Sequence, residues 1–333
     1  MGRYSQEDGA LQSLRMAPYF RAMWLHRLLL FLPHLLPDRA AIMSLTIRSL
    51  HVYPIKSCHG IDLSEAQVDR AGLAYDRRWM IVSASGQFMT QRHWPRMALI
   101  RTALTTGALH LSAPDMDDIE VPLDGSQLSE TPETVAVWRD TVPARAEAAA
   151  VADWLSRFLN EPCRLMKVDA QARRSAKLDW VAQWRERHPD AAAGFEGDHF
   201  FGFADGFPLL LANQASLDDL NARLAAKGAE PVPMDRFRAN IVLAGDDWAA
   251  FDEDLTVTVD FDGLRVALVK PCTRCTIPDV DQDSAAVHQE PGRTLAAYRN
   301  LEIGVVFGQN GIVDAQKSTM LRVGGQAEVE LDF

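Results

Sequence analysis

The chain has 333 residues, 47% of them hydrophobic, with 34 basic and 45 acidic residues and a formal net charge of −11. That length admits two domains or one large one, and the apolar content supports a sizeable core and excludes wholesale disorder. The acidic balance argues against a general nucleic-acid-binding face, and four scattered cysteines suggest a reducing, cytoplasmic compartment rather than a disulfide framework.

Residues 1–42 read unlike the rest. Apolar residues crowd 19–36, but Arg21, His26, Arg27, Pro33 and His34 interrupt them. The uninterrupted run Leu28 to Leu32 is far too short to span a bilayer. An interfacial helix giving weak membrane association is one reading. The favoured one is a tail, or a mis-assigned start with the body beginning at Met43.

From Met43 the pattern changes to strands. Leu45 to Tyr53 carries strong β-formers. Tyr53-Pro54-Ile55-Lys56-Ser57-Cys58-His59-Gly60 follows as a turn with Lys56 and Ser57 at its tip. Tyr75-Asp76-Arg77-Arg78 runs into a buried-looking strand, and Gln87 to Arg92 and Met97 to Leu104 continue a β-meander. Lys56, Arg77, Arg92 and Arg96 therefore fall near strand ends. Such a cluster fits ordinary surface ion pairs or bidentate recognition of a phosphate or carboxylate, and spacing alone does not choose. Lys56 as a Schiff-base lysine lacks a recognisable pyridinium partner. Residues 111–143 read as loops and edge strands. Val151, Trp154, Leu155, Phe158 and Leu159 form the apolar stripe of a helix, and Leu165 to Val168 closes this part.

Ala170 to Gly206 is polar and reads as a long connection or lid. Ser216, with Asp219 three residues on, reads as a capped helix start, with a buried stripe of Leu217, Leu220 and Leu224 ending at Gly228. Arg238 and Asn240 alternate with apolar residues, which predicts one shared sheet face. Leu255, Val257 and Val259, then Leu264, Val266 and Leu268, predict a hairpin turning at Asp262-Gly263. That strand should end at Pro271, where Cys272-Thr273-Arg274-Cys275 begins. A guanidinium beside a thiol favours the thiolate, the form that acts as nucleophile and metal ligand. Zinc would need further ligands, and Cys58 and Cys163 are isolated. A thioredoxin-like dithiol should open a helix, but Pro278, Asp279, Asp281 and Asp283 follow. A pair of thiols without a role stays open, and so does one cysteine on a soft metal centre, the account the residues favour. A short helix at Leu295 to Tyr298 and strands over 303–313 and 320–331 complete the chain.

Taken in order, several stretches resemble one family. Tyr-Pro-Ile-Lys-Ser-Cys, Asp-Arg-Arg-Trp-Met-Ile-Val and Gln-Arg-His-Trp-Pro-Arg-Met-Ala-Leu-Ile resemble the N-terminal β-barrel domain of MOSC proteins. Phe-Arg-Ala-Asn-Ile-Val, Pro-Cys-Thr-Arg-Cys-Thr-Ile-Pro-Asp-Val-Asp and Glu-Pro-Gly-Arg-Thr-Leu-Ala-Ala-Tyr-Arg resemble the MOSC domain itself. The resemblance is to molybdenum-dependent amidoxime-reducing proteins and bacterial hydroxylaminopurine reductases. It implies an α+β, β-rich fold with an N-terminal β-barrel-like domain (43–169) packed on a MOSC β-barrel domain (170–333), behind the extension 1–42.

The same resemblance implies a molybdenum cofactor (Mo-molybdopterin) in the cleft between the domains. Cys275 would be the molybdenum ligand and catalytic thiolate. Lys56, Ser57 and Arg77 would contact the phosphate side, with Arg238, Asn240, Thr273 and Arg274 completing the binding set and Phe307 to Asn310 nearby. Where relatives carry a hydroxyl-bearing stretch, this chain has Asp205, Gly206 and Phe207, so main-chain contacts are expected there. The loop Asp281-Gln282-Asp283-Ser284-Ala285 also departs from the family pattern. The activity implied is reduction of a small-molecule N-hydroxylated substrate at its N–O bond. Electrons would come from a separate electron-transfer protein of ferredoxin or cytochrome type, with no nucleic acid and no transmembrane span involved. A cofactor carrier or a sulfur-transfer module without reductase activity is the alternative.

Overall fold

The computed structural model describes residues 43–314 and 318–332; the reading of 1–42 as a tail or membrane-associating segment lies outside them. The first half contains β1 (Met43–Val52), β2 (Ile61–Leu63), β3 (Glu65–Asp69), β4 (Gly72–Leu73), β5 (Trp79–Ser83), β6 (Arg101–Leu104), β7 (Ala108–Ser112), β8 (Ile119–Pro122), β9 (Glu133–Val137), β10 (Asp140–Ala146), α1 (Ala149–Leu159) and β11 (Cys163–Val168). Then come α2 (Leu178–Arg187), β12 (Leu209–Asn213), α3 (Gln214–Ala226), β13 (Ile241–Ala244), β14 (Thr256–Asp260), β15 (Arg265–Thr273), α4 (Gly292–Tyr298), β16 (Asn300–Leu301), β17 (Gly304–Asp314), β18 (Thr319–Arg322) and β19 (Gln326–Leu331).

Seven of these strands close a barrel in the order β12-β13-β1-β19-β14-β15-β17, and β17 pairs back onto β12. Closure removes the open edges that a sheet of this length would otherwise present. The barrel takes β1 from the N-terminal stretch and the other six from beyond residue 206. Its core gathers Leu45, Ile47, Leu50, Leu211, Ile241, Leu243, Val259, Leu264, Val266, Val313 and Val329. In β1 the register shifts between Ile47 and Ser49, so Leu45 and Ile47, then Leu50 and Val52, are buried on either side of the bulge. Ser49 and His51 are left on the outer face.

The N-terminal stretch adds a four-stranded sheet β5-β11-β10-β9 and a meander β6-β7-β8. Helix α1 buries the predicted stripe Val151, Trp154, Leu155, Phe158 and Leu159 against Ile55, Trp79, Ile81, Leu109 and Leu111. Asn160 ends it in the left-handed conformation at φ 53°. The predicted hairpin is present: Asp262 and Gly263 have φ of 56° and 90°, the two positive values a two-residue type I′ turn requires.

Several expectations need correction; among them, the meander strand expected over Met97 to Leu104 is a 3-10 turn (Pro95–Leu99) before β6 starts at Arg101, and no strand among the described residues covers Gln87 to Arg92. Residues 170–206 are not a bare connection. Helix α2 and Trp184, Phe195, Phe201 and Phe207 pack on Val257 and Val269 of the barrel wall. The aromatics that drive this are too irregularly spaced to show a period. Ser216 is not the cap of α3: Asn213 accepts the Ala215 N–H at 2.9 Å, while Ser216 Oγ donates to buried Glu253. Arg238 and Asn240 precede β13 instead of sharing its face, with Arg238 ending a short 3-10 turn at φ 56°. Finally, β15 runs through Pro271 to Thr273, because register shifts at Leu268/Lys270 and Pro271/Thr273 take up the residue that cannot donate.

Candidate functional site

Two braided segments build one wall of a pocket. The turn 53–58 lies against 76–79: Lys56 N–H donates to Trp79 O at 2.8 Å, Arg77 N–H to Tyr53 O at 2.8 Å and Trp79 N–H to Pro54 O at 3.0 Å. This presents Lys56, Ser57 and Arg77 together. The 202–207 turn is then drawn in through Phe203 N–H to Arg77 O at 2.8 Å. A side chain at position 202 would meet Arg77 O at 2.6 Å, so only glycine permits that approach. The opposite wall is the 237–240 turn and the end of β15.

Around this pocket stand Lys56, Ser57, Arg77, Asp205, Phe207, Arg238, Asn240, Thr273, Arg274 and Cys275, with Thr90, Arg92, Trp138, Cys272, Ile277 and Asn310. Ten of the eleven predicted site residues thus share one cavity. Gly206 is the exception, lying beside Lys177. Arg96, grouped with the others by sequence, goes elsewhere and covers the Phe158 ring at 4.5 Å. Trp138 carried no sequence signal; its alternating hairpin β9–β10 delivers it to the rim at φ 57°.

The pocket is cationic. Lys56, Arg77, Arg92, Arg238 and Arg274 line it, against the single lining carboxylate of Asp205. Arg77 Nη1 donates to both carboxylate oxygens of Asp76, at 2.8 and 2.7 Å, and its Nη2 donates to Arg238 O at 2.9 Å. Arg77 and Arg238 stack on the Tyr53 ring, their guanidinium carbons 4.3 and 4.2 Å from its centroid. Arg238 donates to Cys58 O at 2.7 Å, yet its buried Nη2 has no partner among the described residues, and neither does Arg274 Nε. Burial, and then Arg77, push Arg238 down to about 10, which still leaves it charged at neutral pH. Burial likewise lowers Lys56, opposed by Asp205. Crowding by nearby protein atoms opposes ionisation of Asp205 even though its side chain is largely exposed, but Lys56 and the Trp138 N–H outweigh this and hold the carboxyl below its ordinary range.

Three of the predicted contacts, Ser57, Arg77 and Arg238, have positive φ values of 64°, 46° and 56°. Each costs roughly 1–2 kcal/mol for a residue with a Cβ, and such strain clusters where backbone must be aimed. Asn240 is occupied structurally: its side chain accepts from Leu210 N–H at 3.1 Å and donates to His51 O at 3.2 Å, bridging β12 and β1.

The two thiols differ. Arg274 Nη1 lies 3.1 Å from Cys272 Sγ and its Nη2 donates to Phe237 O at 2.8 Å. Cys275 is exposed at the pocket, and its sulfur has no hydrogen-bond partner among the described residues. Cys58 and Cys163 are buried in the second core, and among the described residues no cluster of three or more His, Cys, Asp or Glu could hold a metal ion. The donor set instead suits an anionic group that brings most of its metal's ligands with it, since unpartnered guanidinium N–H groups and one accessible thiol line the same pocket.

A closed β-barrel joined to a half-barrel sheet, with a cationic pocket and one open thiol, defines the class. Residues 44–162 match the MOSC N-terminal beta barrel domain and residues 198–328 match the MOSC domain. Mitochondrial amidoxime-reducing component 1 of Mus musculus is 31% identical over 260 residues, covering 76% of this chain and 71% of that protein. Mitochondrial amidoxime reducing component 2 of Homo sapiens is 31% identical over 262 residues, covering 76% and 72%. Molybdenum cofactor sulfurase of Oryza sativa subsp. japonica is 28% identical over 281 residues, but this chain covers only 33% of it. The chain belongs to the family of proteins that join a MOSC N-terminal domain to a MOSC domain. No helix among the described residues is long and apolar enough to cross a membrane.

Proposed function

We propose that the protein is a molybdenum-cofactor-dependent oxidoreductase that reduces N-hydroxylated compounds at the N–O bond. One observation carries the reading: the cationic pocket with unpartnered guanidinium N–H groups also holds the exposed Cys275. Lys56, Arg77 and Arg238 would hold the phosphate of the molybdopterin. Ser57, the main chain of Asp205, Gly206 and Phe207, and Asn240, Thr273 and Arg274 would frame the rest. Cys275, as thiolate, would be the protein ligand to molybdenum. When bound, the cofactor supplies two-electron transfer at a soft metal centre. Reduction of R–NHOH to R–NH2 takes up two electrons and two protons and releases water, so an electron donor is required, and a separate electron-transfer protein is the donor we propose. The relatives named for amidoxime reduction support this direction of chemistry.

The sulfurase relatives favour a second reading, a cofactor carrier or sulfur-transfer module. The two separate in one experiment. Protein from a host competent in molybdenum cofactor synthesis is assayed for molybdenum and pterin, then for turnover of an N-hydroxylated compound with an artificial electron donor. Loaded protein that turns over supports the reductase. Loaded protein that does not is a carrier, and protein that takes up neither metal nor pterin sinks both.

A further inference from the structure

We propose that Asp205 is a resident counter-ion whose carboxylate sits on Lys56 where a cofactor phosphate would bind, so that Asp205 sets the affinity of the pocket for that phosphate. The inference rests on the reading of the pocket as an anion site.

The partners of the cations show why Lys56 is the contested one. Arg77 has its own carboxylate in Asp76, Arg238 has Cys58 O, and Arg274 has Phe237 O and the Cys272 sulfur. The Lys56 side chain is 7% exposed, and its ammonium donates to Phe203 O at 2.9 Å and to Asp205 Oδ1. Without a phosphate, Asp205 supplies its only ionic partner among the described residues. A buried ammonium left without an anion is costly, and a carboxylate held against it excludes a second anion by repulsion.

The carboxylate is free to leave. The Asp205 side chain is 71% exposed, so water can take it up. The turn that bears it is held by other groups: Arg174 donates to Gly202 O at 3.3 Å, to Ala204 O and to Asp205 O at 3.0 Å, and is itself paired with Asp140 at 2.7 Å. None of these bonds uses the Asp205 carboxylate. Trp138 Nε1 donates to the same Oδ1 at 2.9 Å, so the latched position links the phosphate end of the pocket to its aromatic rim. A phosphate brings more charge and more acceptor oxygens than a carboxylate, which lets it displace Asp205 at a reduced net affinity.

Inorganic phosphate binding to the cofactor-free full chain tests this, by calorimetry and by the phosphate dependence of the thermal midpoint. Asp205→Asn keeps an oxygen for the Trp138 N–H and removes only the charge. It should bind phosphate about tenfold more tightly than wild type, the size of one charge-assisted contact. Its midpoint should be lower without phosphate and recover more than wild type when phosphate is added. Lys56→Met should weaken binding in either background. Equal or weaker binding by Asp205→Asn, with Lys56→Met still weakening it, overturns the counter-ion and leaves the anion pocket standing. Tightening that persists in the double variant also overturns it, since Lys56 is then not the contested group. Absence of phosphate binding in wild type and both variants overturns the counter-ion and the anion pocket together.

Discussion

Glu253 and Arg238 are both ionisable residues enclosed by the protein, and the fold deals with them in opposite ways. Glu253 is fully buried beside α3, where Ser216 Oγ donates to its carboxyl at 2.8 Å. Burial, and then the neighbouring Asp254, push it up to about 8. A proton removes its charge at neutral pH. Arg238 has no such escape, because burial and Arg77 bring it only to about 10. The buried carboxyl of Glu253 is settled by a proton, whereas Arg238 stays charged with Nη2 unpartnered among the described residues, which suits an anion from outside. Cavity size gives no such guidance. A larger cavity of about 850 Å³ lies along the outer face of β1, lined by His51, His59, Arg101, His110, Asp62, Asp118 and Asp235 among others. Both signs of charge mix there, and several are internally paired: His51 lies between Ser49 Oγ at 2.8 Å and Asp62 at 2.6 Å, and Arg101 pairs with Asp283 at 2.8 Å. The pocket at Cys275 is far smaller, about 90 Å³, yet carries the surplus of one sign.

The largest effect should come at the thiol end of the cationic pocket. Cys275→Ala or Cys275→Ser should abolish N-hydroxyl reduction while pterin content survives, since the phosphate contacts remain. Cys272→Ala should lose no more than the tenfold to hundredfold that removal of a supporting contact costs, about the range for outer-sphere partners of a metal site. Turnover measured with molybdenum and pterin content decides it. Equal loss in both variants would point to the pair acting as a dithiol.

Next in size are the guanidinium groups. Arg77→Ala and Arg238→Ala should each lower affinity for the cofactor by about tenfold to a hundredfold, read as occupancy under limiting supply. Normal occupancy in both would make the cluster an ordinary set of ion pairs and remove the contrast with Glu253.

Glu253 supplies the converse measurement. Its folded pKa of about 8 lies above the ordinary 4.5, so the protonated form is favoured by folding. Its contribution to stability is complete below the ordinary value and falls as pH rises towards about 8, by about 1.4 kcal/mol per pH unit in that window. Glu253→Gln should flatten this part of the pH–stability curve and be relatively most favourable at alkaline pH. An unchanged slope in denaturant titrations would show that Glu253 is charged as buried.

The smallest effect belongs to the large cavity. His51→Gln should leave cofactor content and turnover as they are and cost only about 0.5–1.5 kcal/mol of stability, the usual net worth of a hydrogen bond, since His51 is mostly buried between Ser49 and Asp62. A marked loss of turnover would move the active region to the wrong cavity and invert the comparison.

Much of the fold could be read locally. The α1 stripe, the Asp262-Gly263 hairpin and the strand alternation in β1 and β14–β15 follow from periods of 3.6 and 2 and from turn chemistry, which short windows of sequence contain. The stretch 170–206 could not, because its aromatics are placed by contact with the barrel and not by a period. The site divides in the same way. Sequence and resemblance together named Lys56, Ser57, Arg77, Arg238 and Cys275 as partners, but charge alone left the arginines balanced between surface pairs and an anion site. Asn240 was legible as a pocket residue, yet its bridging of β12 and β1 was not.

By itself the sequence determined the acidic balance, the absence of a long apolar run, the strand and helix periods and the Cys272–Cys275 spacing, since each depends on neighbours in the chain. Tertiary structure alone decided that β1 enters a barrel with strands more than 150 residues away, that Arg96 leaves the cluster and that Asp205 meets Lys56 and Trp138 on one oxygen atom. The reason is physical. Which cations lose their water, and which of them keep a partner, depends on the closure of the barrel against the N-terminal sheets, and local sequence does not encode that closure.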